Sequence, residues 1–256
     1  MSQPEVGIPA NPLVSSISAF FPCYNDALAI GSMVTKVYST LEKLVDDFEV
    51  IVIDDGSSDD SLQVLSSLSQ ELPLLRVIAH EVNRGYGGAL LSGFEASTKD
   101  WVFYTDGDAQ YDPTEVADLV DGVQEETDVV QGWKIARGDT WVRKIIGRSY
   151  HHAVRFLFNL SVRDTDCDFR LIRRDLIEHV RLQSTSGTIC VEMMRKFESA
   201  GANFVEVPVH HFARPHGRSQ FFRLPHIARS AAQLGQLWFR LMILRDQGKP
   251  YARSHK

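Results

Sequence analysis

The stretch that decides the fold is residues 101–113, WVFYTDGDAQYDP. Its beginning, Trp101-Val102-Phe103-Tyr104, is a compact apolar run of the kind that forms a buried strand. Pro113 stands where a helix would begin, because its fixed φ suits a first helical turn. Asp106 and Asp108 therefore lie at the carboxyl end of a central strand, the edge at which open α/β sheets bind ligands. Carboxylates suit Mg²⁺ or Mn²⁺ shared with substrate phosphates, although the spacing alone is equally consistent with a polar turn.

Strands and helices alternate before this stretch. Apolar runs predict strands at residues 17–21, 48–53 and 75–79. Apolar residues at helical spacing predict helices that begin at Asp26, near Leu62 and after the glycine-rich segment 85–88. Four strands that alternate with helices within about 105 residues predict an α/β fold with a doubly wound, mostly parallel sheet.

Further elements follow the central stretch. Helices are predicted at residues 113–125, 141–159, 188–200 and 225–245, and strands at 128–132 and 204–209. Residues 164–170 are predicted to form a polar turn before Leu171. No linker rich in Pro, Gly or Ser divides the chain. We therefore predict a flexible leader at residues 1–15, one sheet domain at 16–224, and a basic amphipathic helix and tail at 225–256.

Composition limits the class of protein and its partners. The chain has 256 residues, 44% of them hydrophobic and 23% charged, as in an ordinary soluble globular protein. Three scattered cysteines give neither a disulfide framework nor a zinc motif, and no signal peptide or transmembrane segment is predicted. The net charge of −6 combines +8 in residues 214–256 with −14 elsewhere. A basic tail without nucleic-acid motifs favours an anionic membrane surface over nucleic acid, so we expect a cytoplasmic protein that contacts the cytoplasmic membrane surface.

Several separated segments match one family in a fixed order. Pro22-Cys23-Tyr24-Asn25-Asp26 resembles the Pro-x-Tyr-Asn-Glu opening of inverting family-2 glycosyltransferases with the GT-A fold. Residues 53–59, IDDGSSD, resemble their second motif, and residues 106–110, DGDAQ, resemble their Asp-x-Asp. EVPV at 206–209 and RPHGRS at 214–219 resemble one branch of that family. This branch is the dolichyl-phosphate mannosyltransferase-like and polyprenyl-phosphate glycosyltransferase group.

The resemblance covers residues 17–224 and implies both the fold and the reaction. It implies a GT-A fold and an enzyme that transfers a sugar, with inversion, from a GDP- or UDP-sugar to a polyprenyl (dolichyl or undecaprenyl) phosphate. Mg²⁺ or Mn²⁺ would be held by Asp106, Asp108 and Gln110. The nucleotide-sugar would contact Pro22, Tyr24, Asp26, Ile53, Asp55, Asp106, Gly107 and Asp108. The phosphate or acceptor would contact Lys134, Arg143, Arg148, Arg214 and Ser219. The chain departs from the family pattern where Asp26 replaces Glu and Lys134 replaces Arg.

The acceptor side carries the remaining alternatives. Asp168, with Asp166 as the second choice, resembles the position from which these enzymes present a carboxylate to the acceptor. A hydroxyl acceptor would need that carboxylate as a general base, whereas a phosphate acceptor is already anionic. Structural alternatives are a turn carboxylate paired with Arg163, Arg170 or Arg173 for Asp168, a helix cap for Asp55, and solvated charges for Lys134 and Arg214. The functional alternatives are transfer to a saccharide or other hydroxyl acceptor, and a non-catalytic nucleotide-sugar-binding protein.

Overall fold

A computed structural model describes residues 11–135, 152–214 and 224–252, apart from the side chains of residues 224–228. Its strands are β1 (Ser16–Cys23), β2 (Asp47–Asp54), β3 (Leu75–Ala79), β4 (Trp101–Thr105), β5 (Val129–Ile135), β6 (Phe169–Arg173) and β7 (Phe204–His210). Its helices are α1 (Ala27–Leu44), α2 (Ser61–Glu71), α3 (Tyr86–Ala96), α4 (Val116–Asp121), α5 (residues 152–158), α6 (Arg174–Val180), α7 (Ile189–Ala200) and α8 (Leu224–Trp238).

The seven strands form one sheet in the order β3-β2-β1-β4-β6-β5-β7. All strands run parallel except β6, which is antiparallel to both β4 and β5. Every residue of β1 and of β4 is buried, as expected for central strands that helices cover on both faces. The predicted α/β fold with a mostly parallel sheet is therefore confirmed.

Helices pack on both faces of the sheet and make two apolar cores. One core lies under α1, α2 and α4, where Ile30, Leu65 and Leu119 are fully buried. The other lies under α3, α5, α6, α7 and the end of α8, where Leu90 and Phe197 are fully buried. The side chains of successive strand residues alternate between these cores, so each strand contributes to both.

Three helical segments differ from the sequence prediction. The helix predicted at 113–125 is a 3₁₀ turn at Pro113–Glu115 followed by the short helix α4, which Gly122 ends. Helix α6 was not predicted from the sequence, although the buried Leu176, Ile177 and Val180 have helical spacing. The final helix passes at its end into a π-helical turn, Phe239–Ile243.

Both ends of the described chain pack against the domain. Asn11 donates hydrogen bonds from Nδ2 to the carbonyl oxygens of Val120 and Val123, at 2.9 and 3.0 Å, and Val14 is buried. Residues 11–15, the part of the expected flexible leader that the structure describes, therefore pack on the domain, and residues 1–10 lie outside the described residues. Leu237 and Leu241 are buried in the second core. The division of the chain at residue 224 stays a prediction.

Within the described ranges, every helix is too short or too polar to cross a membrane. Cys23, Cys167 and Cys190 are all buried and none forms a disulfide.

Candidate active site

The site lies at the carboxyl edge of the sheet, on both sides of the point where strand order reverses between β1 and β4. The loops that follow β1, β2, β4 and β7 all leave the sheet at this edge. Because β6 is antiparallel, its beginning rather than its end lies here, and it brings Asp168 to the same edge. The predicted convergence of strand-end carboxylates is therefore present.

Asn25 locks the loop after β1 to the loop after β2. Its Oδ1 accepts hydrogen bonds from the backbone N–H of Ser58 at 2.8 Å and of Asp59 at 3.3 Å, and its own N–H donates to Ser57 Oγ at 3.0 Å. Asn25 has a φ of 56°, a left-handed conformation that asparagine tolerates better than most residues. The neighbouring Tyr24 ring is 45% exposed and is free to stack on a planar ligand.

Gly107 brings the loop after β4 against the end of β1. A Cβ at this position would lie 3.0 Å from the Pro22 carbonyl oxygen and 2.9 Å from Ile30 Cδ1. Glycine fits this close approach without any shift, whereas a larger residue would have to displace Ile30 and the end of β1 slightly. Asp106 and Asp108 are therefore fixed on either side of a backbone contact.

The two carboxylates of the Asp-x-Asp segment have different partners. Tyr86 OH donates a 2.8 Å hydrogen bond to Asp106 Oδ1, and the backbone N–H of Gln110 donates to Asp108 Oδ1 at 3.1 Å. Burial, together with the charges of Asp168 and Asp108, raises the pKa of Asp106 well above its ordinary value. Burial also raises the pKa of Asp108, and Arg214 opposes this shift. Crowded carboxylates of this kind are stabilised by a cation.

Arg214, which follows β7, supplies a positive charge to this edge. Its Nη2 lies 3.1 Å from Asp108 Oδ2 and 3.4 Å from Asp26 Oδ1. The solvated-charge alternative is therefore wrong for Arg214. Burial raises the pKa of Asp26, and Arg214 opposes the rise while Asp108 adds to it.

Asp168 is held by a buried network around Arg170. Arg170 is fully buried and donates from Nη1 to Asp168 Oδ1 at 2.7 Å and to Tyr104 OH. Its Nε donates to Gln131 Oε1 at 2.6 Å. Cys190 Sγ also donates to Asp168 Oδ1, at 3.0 Å. The pairing of Asp168 with Arg170, one of the structural alternatives, is thus present, and it fixes one carboxylate oxygen while the side chain stays 17% exposed.

Asp166 and Lys134 form the neighbouring part of the edge. Lys134 Nζ donates to the Asp166 carbonyl oxygen and lies 3.8 Å from Asp164 Oδ1. Its side chain is only 11% exposed, so it is not a solvated charge. Burial raises the pKa of Asp166 to about 6, and the charge of Lys134 opposes that rise.

Asp55 is buried and anchors the start of α3. His80 Nδ1 lies 2.7 Å from Asp55 Oδ1, and the backbone N–H groups of Arg84 and Gly85 donate to the same carboxylate at 2.8 and 3.0 Å. His80 Nε2 in turn lies 2.9 Å from Ser92 Oγ. Asp55 thus acts at the N-terminus of α3, which is not the helix that directly follows its own segment, and its role in reading a nucleobase stays a prediction.

Other predicted site residues fall into two groups. Pro22 is buried and Ile53 is fully buried in the second core, because both faces of their strands are covered by helices. The prediction that Ile53 lines a base pocket is therefore wrong for this arrangement of the chain. Arg143, Arg148 and Ser219 lie outside the described residues.

The donor set fits a divalent cation only together with a ligand. Among the residues that the structure describes, no three His, Cys, Asp or Glu side chains are placed to hold a metal ion. Asp106 Oδ2 and Asp108 Oδ2 would be the carboxylate ligands, and Arg214 Nη2 lies 3.1 Å from the second of these oxygens. The Gln110 amide nitrogen donates to the Phe212 carbonyl oxygen at 3.3 Å. Mg²⁺ commonly binds through one or two carboxylates plus substrate phosphates, so the two aspartates fit this mode.

A small cavity opens at the same place. Its volume is about 150 Å³, and it is lined by Asn25, Asp26, Ala27, Leu28, Ala29, Asp59 and Asp108. A larger open groove of about 740 Å³ lies between α1 and α2, around Lys36 and Val64. None of the predicted site residues lines that groove, so we assign the chemistry to the sheet edge.

Sequence reasoning missed two residues that organise the site, Tyr86 and His80, and named a third, Arg170, only in the structural alternative for Asp168. Tyr86 binds Asp106, Arg170 binds Asp168, and His80 binds Asp55. Tyr86 stands in the glycine-rich segment 85–88 and Arg170 stands two residues after Asp168, so both were visible as neighbours of predicted motifs. No local pattern marks His80, because its partner lies 25 residues away in the chain.

Comparison with solved structures confirms the GT-A fold. Glucosyl-3-phosphoglycerate synthase from Mycobacterium tuberculosis, in complex with phosphoglyceric acid, has a TM-score of 0.69 at 21% identity over 98% of this chain and 88% of that one. The same enzyme in complex with Mn²⁺, UDP-glucose and phosphoglyceric acid has a TM-score of 0.69 at 20% identity over 98% and 87% of the two chains. At these identities the likeness concerns the fold alone.

Sequence comparison gives the family. A curated relative, undecaprenyl-phosphate 4-deoxy-4-formamido-L-arabinose transferase from Enterobacter sp. (strain 638), is 30% identical over 213 residues. The match covers 81% of this chain, which spans 63% of the length of that relative. The family model described as glycosyl transferase family 2 matches residues 18–181. This chain therefore belongs to glycosyl transferase family 2.

Proposed function

We propose that this glycosyltransferase transfers a sugar from a nucleoside-diphospho-sugar to a polyprenyl phosphate, with inversion at the anomeric carbon and with a divalent cation. The observation that carries the proposal is the meeting of Asp26, Asp106 and Asp108 with Arg214 at one sheet edge. Carboxylates and a guanidinium in one partly buried place suit a ligand that brings both a metal ion and phosphate oxygens.

The donor would lie across the ends of β1, β2 and β4. The exposed ring of Tyr24 would stack on the nucleobase, and Asp55 would accept a hydrogen bond from it through the free lone pair of Oδ2. Asp106 and Asp108 would hold the diphosphate end through Mg²⁺ or Mn²⁺. The cation would neutralise negative charge on the leaving diphosphate.

The acceptor would approach from the side of β6. An oxygen of the acceptor phosphate attacks the anomeric carbon while the bond from that carbon to the diphosphate breaks, and the nucleoside diphosphate leaves. Attack opposite the leaving group inverts the anomeric centre. A phosphate acceptor is already ionised, so no proton has to be removed from it, and Asp168 then serves to orient the acceptor. The name of the curated relative, an undecaprenyl-phosphate transferase, supports this acceptor class.

The test is a transfer assay with the whole chain. GDP- and UDP-sugars are offered in turn with a short polyprenyl phosphate in detergent, with and without Mn²⁺, and the lipid product is identified by mass spectrometry and its anomeric configuration by NMR. We expect one donor class to yield an inverted glycosyl phosphate that depends on the cation. Asp47→Asn is the matched control for Asp108→Asn, because Asp47 pairs with Lys99 at the opposite end of the strands. Equal transfer by the Asp108→Asn variant, or a product of retained configuration, would contradict the proposal.

A second acceptor class is a hydroxyl group, and Asp166 is the observation that favours it. Its pKa of about 6 suits a general base near neutral pH, as proton removal from a hydroxyl requires. The similar solved structures are of an enzyme with a phosphoglyceric acid complex, which supports testing this class. Faster transfer to 3-phosphoglycerate or a simple sugar than to polyprenyl phosphate, abolished by Asp166→Asn, would favour it.

We also propose that the enzyme contacts the membrane surface with one apolar face. Trp238 Nε1 donates to the Leu157 carbonyl oxygen at 2.9 Å, so the end of α5 lies beside the end of α8. Large apolar side chains are exposed on these two neighbouring ends, with exposed fractions of 87% for Phe156, 42% for Leu157, 52% for Phe239, 52% for Ile243 and 64% for Leu244. Exposed apolar groups beside basic residues favour an anionic membrane interface.

Sedimentation with anionic liposomes tests this contact. A truncation would remove the buried Leu237 and Leu241, so point substitutions are the better probe. We expect Phe156→Ser with Phe239→Ser to reduce the bound fraction, and a control Leu74→Ser, at a residue that is 42% exposed just before β3, to leave it unchanged. Wild-type protein that stays in the supernatant at low salt would argue against a membrane contact.

A further inference from the structure

We propose that Arg214 is an internal counter-ion, which holds the cation position at Asp108 in the donor-free enzyme and moves to the diphosphate when donor and metal bind. The inference rests on the proposed function in one respect, namely that a divalent cation and a diphosphate bind at Asp108. It adds that the Arg214 guanidinium and the metal ion replace each other at Asp108. The binding of the metal ion and the binding of the donor are therefore coupled.

The geometry places Arg214 where the metal ion would bind. Arg214 Nη2 lies 3.1 Å from Asp108 Oδ2, the oxygen that the Gln110 N–H leaves free. A Mg²⁺ ion about 2.1 Å from the same oxygen would lie within about 5 Å of that nitrogen. Two positive charges at this separation repel strongly in a site where Asp108 is only 11% exposed. Arg214 and the metal ion therefore compete for Asp108.

The contact that Arg214 makes is an incomplete one. Both carboxylates are reached through the single atom Nη2, so neither pair has the two parallel hydrogen bonds of a bidentate arginine–carboxylate contact. Arg214 Nε is buried and has no hydrogen-bond partner among the described residues. A guanidinium with an unused buried donor gains hydrogen bonds when a phosphate group arrives, and this gain favours the exchange.

The need for a counter-ion comes from the crowded carboxylates. The charge of Asp108 helps to raise the pKa of Asp26, and the charge of Asp168 helps to raise the pKa of both Asp106 and Asp108. Without a metal ion, such a group is stabilised by Arg214, since partly buried like charges repel. Once a metal ion binds Asp108, Arg214 loses that partner, and the diphosphate offers it a new one.

The exchange predicts effects of opposite sign on two ligands. Removing the guanidinium frees Asp108, so a metal ion should bind the donor-free protein more tightly. The same change removes a charge that contacts the diphosphate, so the nucleotide should bind more weakly when metal is saturating. If the arginine had a purely structural role, its substitution would weaken the binding of both ligands or of neither.

The experiment compares wild-type protein with Arg214→Gln and with the control Arg76→Gln. Arg76 pairs with Glu49 at 2.7 Å near the other ends of β2 and β3, so its loss changes the net charge equally without touching the site. Mn²⁺ binding without nucleotide is measured by electron paramagnetic resonance of free Mn²⁺, and UDP and GDP binding at saturating Mn²⁺ by calorimetry. We expect Arg214→Gln to raise the Mn²⁺ affinity by about tenfold, within the roughly 5–150-fold usual for coupled sites, and to lower the nucleotide affinity. Arg76→Gln should change neither.

Unchanged or weaker Mn²⁺ binding by Arg214→Gln would overturn the inference. Asp108→Asn separates this failure from failure of the proposed function. If Asp108→Asn abolishes Mn²⁺ binding and Arg214→Gln leaves it unaltered, the metal site stands and the counter-ion exchange fails. If Asp108→Asn leaves Mn²⁺ binding unaltered, the assignment of the metal to this edge fails as well.

Discussion

Substitution of Glu192 by Gln tests how the end of the chain is fixed to the sheet domain. Glu192 lies on α7 and is fully buried. Its carboxylate accepts hydrogen bonds from Lys196 Nζ at 2.9 Å, from Arg240 Nη2 at 2.6 Å and from the Ser184 backbone N–H at 2.7 Å. One side chain thus connects α7, the loop before it and the turn that follows α8.

The expected loss of stability follows from the two cations that remain. Removing one partner of a buried ion pair costs about 3–5 kcal/mol, because it leaves an uncompensated charge. Arg240 is 28% exposed and keeps a contact with Asp246 at 3.7 Å, so Lys196, only 2% exposed, carries most of the penalty. The Gln side chain still offers one acceptor, and we therefore expect the lower value, about 3 kcal/mol. For a domain of this size, that lowers Tm by roughly 6–12 °C.

The assay is thermal and urea unfolding followed by circular dichroism, with Glu178→Gln as the control. Glu178 is 62% exposed and pairs with Arg174 on the surface, so its substitution should change stability by less than about 0.5 kcal/mol. A double variant, Glu192→Leu with Lys196→Met, should recover part of the loss because it removes both charges. A free energy of unfolding for Glu192→Gln that equals that of Glu178→Gln within experimental error would refute the reasoning.

The pH dependence supplies an independent check. Burial acts to raise the pKa of Glu192, but hydrogen bonds from Ser184 and Lys196 outweigh it and lower the pKa below its ordinary value. A group with a lowered pKa in the folded state stabilises the protein above its unfolded pKa, and this contribution is lost as the pH falls through the folded pKa. The difference in free energy of unfolding between wild type and Glu192→Gln should therefore be at its maximum at pH 7. It should decrease only in acid, below the ordinary pKa range of a glutamate.

Three further substitutions test the site. Asp108→Asn should abolish transfer and leave Tm close to that of wild type; turnover near the wild-type rate at limiting Mn²⁺ would exclude Asp108 as a metal ligand. Asp55→Ala should weaken donor binding by about 1–3 kcal/mol in calorimetry, whereas a lower Tm with unchanged donor affinity would leave Asp55 as an anchor of α3 alone. Tyr86→Phe removes the hydrogen bond to Asp106 and, at about 1.5–3 kcal/mol for a bond to a charged group, should lower kcat at least tenfold. Tyr38→Phe, on the other face of the sheet against Phe48, is its control and should not change kcat.

The strands could be predicted from the sequence because a strand that is buried on both faces appears as a nearly continuous run of apolar residues. The runs predicted at 48–53 and 75–79 lie in β2 and β3, within one residue at each end. No comparable sequence pattern indicates the direction of a strand, since the alternation of side chains is the same both ways along it. The antiparallel orientation of β6 was therefore not predicted.

Candidate site residues were predictable where they follow a strand, as Asp106 and Asp108 do. Their partners were not, because contacts between distant segments depend on how the sheet is ordered. Arg214 and Asp26 are 188 residues apart in the chain and meet only because β7 and β1 end at the same edge. Ile53 shows the converse error, since a residue next to a predicted motif can still belong wholly to the core.

The antiparallel direction of β6 divides the sheet edge into two parts, which come mainly from different segments of the chain. Residues before position 113, together with Arg214 after β7, supply the side that would bind the donor, whereas Asp168 comes from the loop that enters β6. Insertions or substitutions in the loop that enters β6 can therefore change the acceptor-binding site without disturbing the loops after β1 and β2, which Asn25 holds together. Chimeras that exchange this loop between relatives should change which acceptor is used while the choice of nucleotide stays the same.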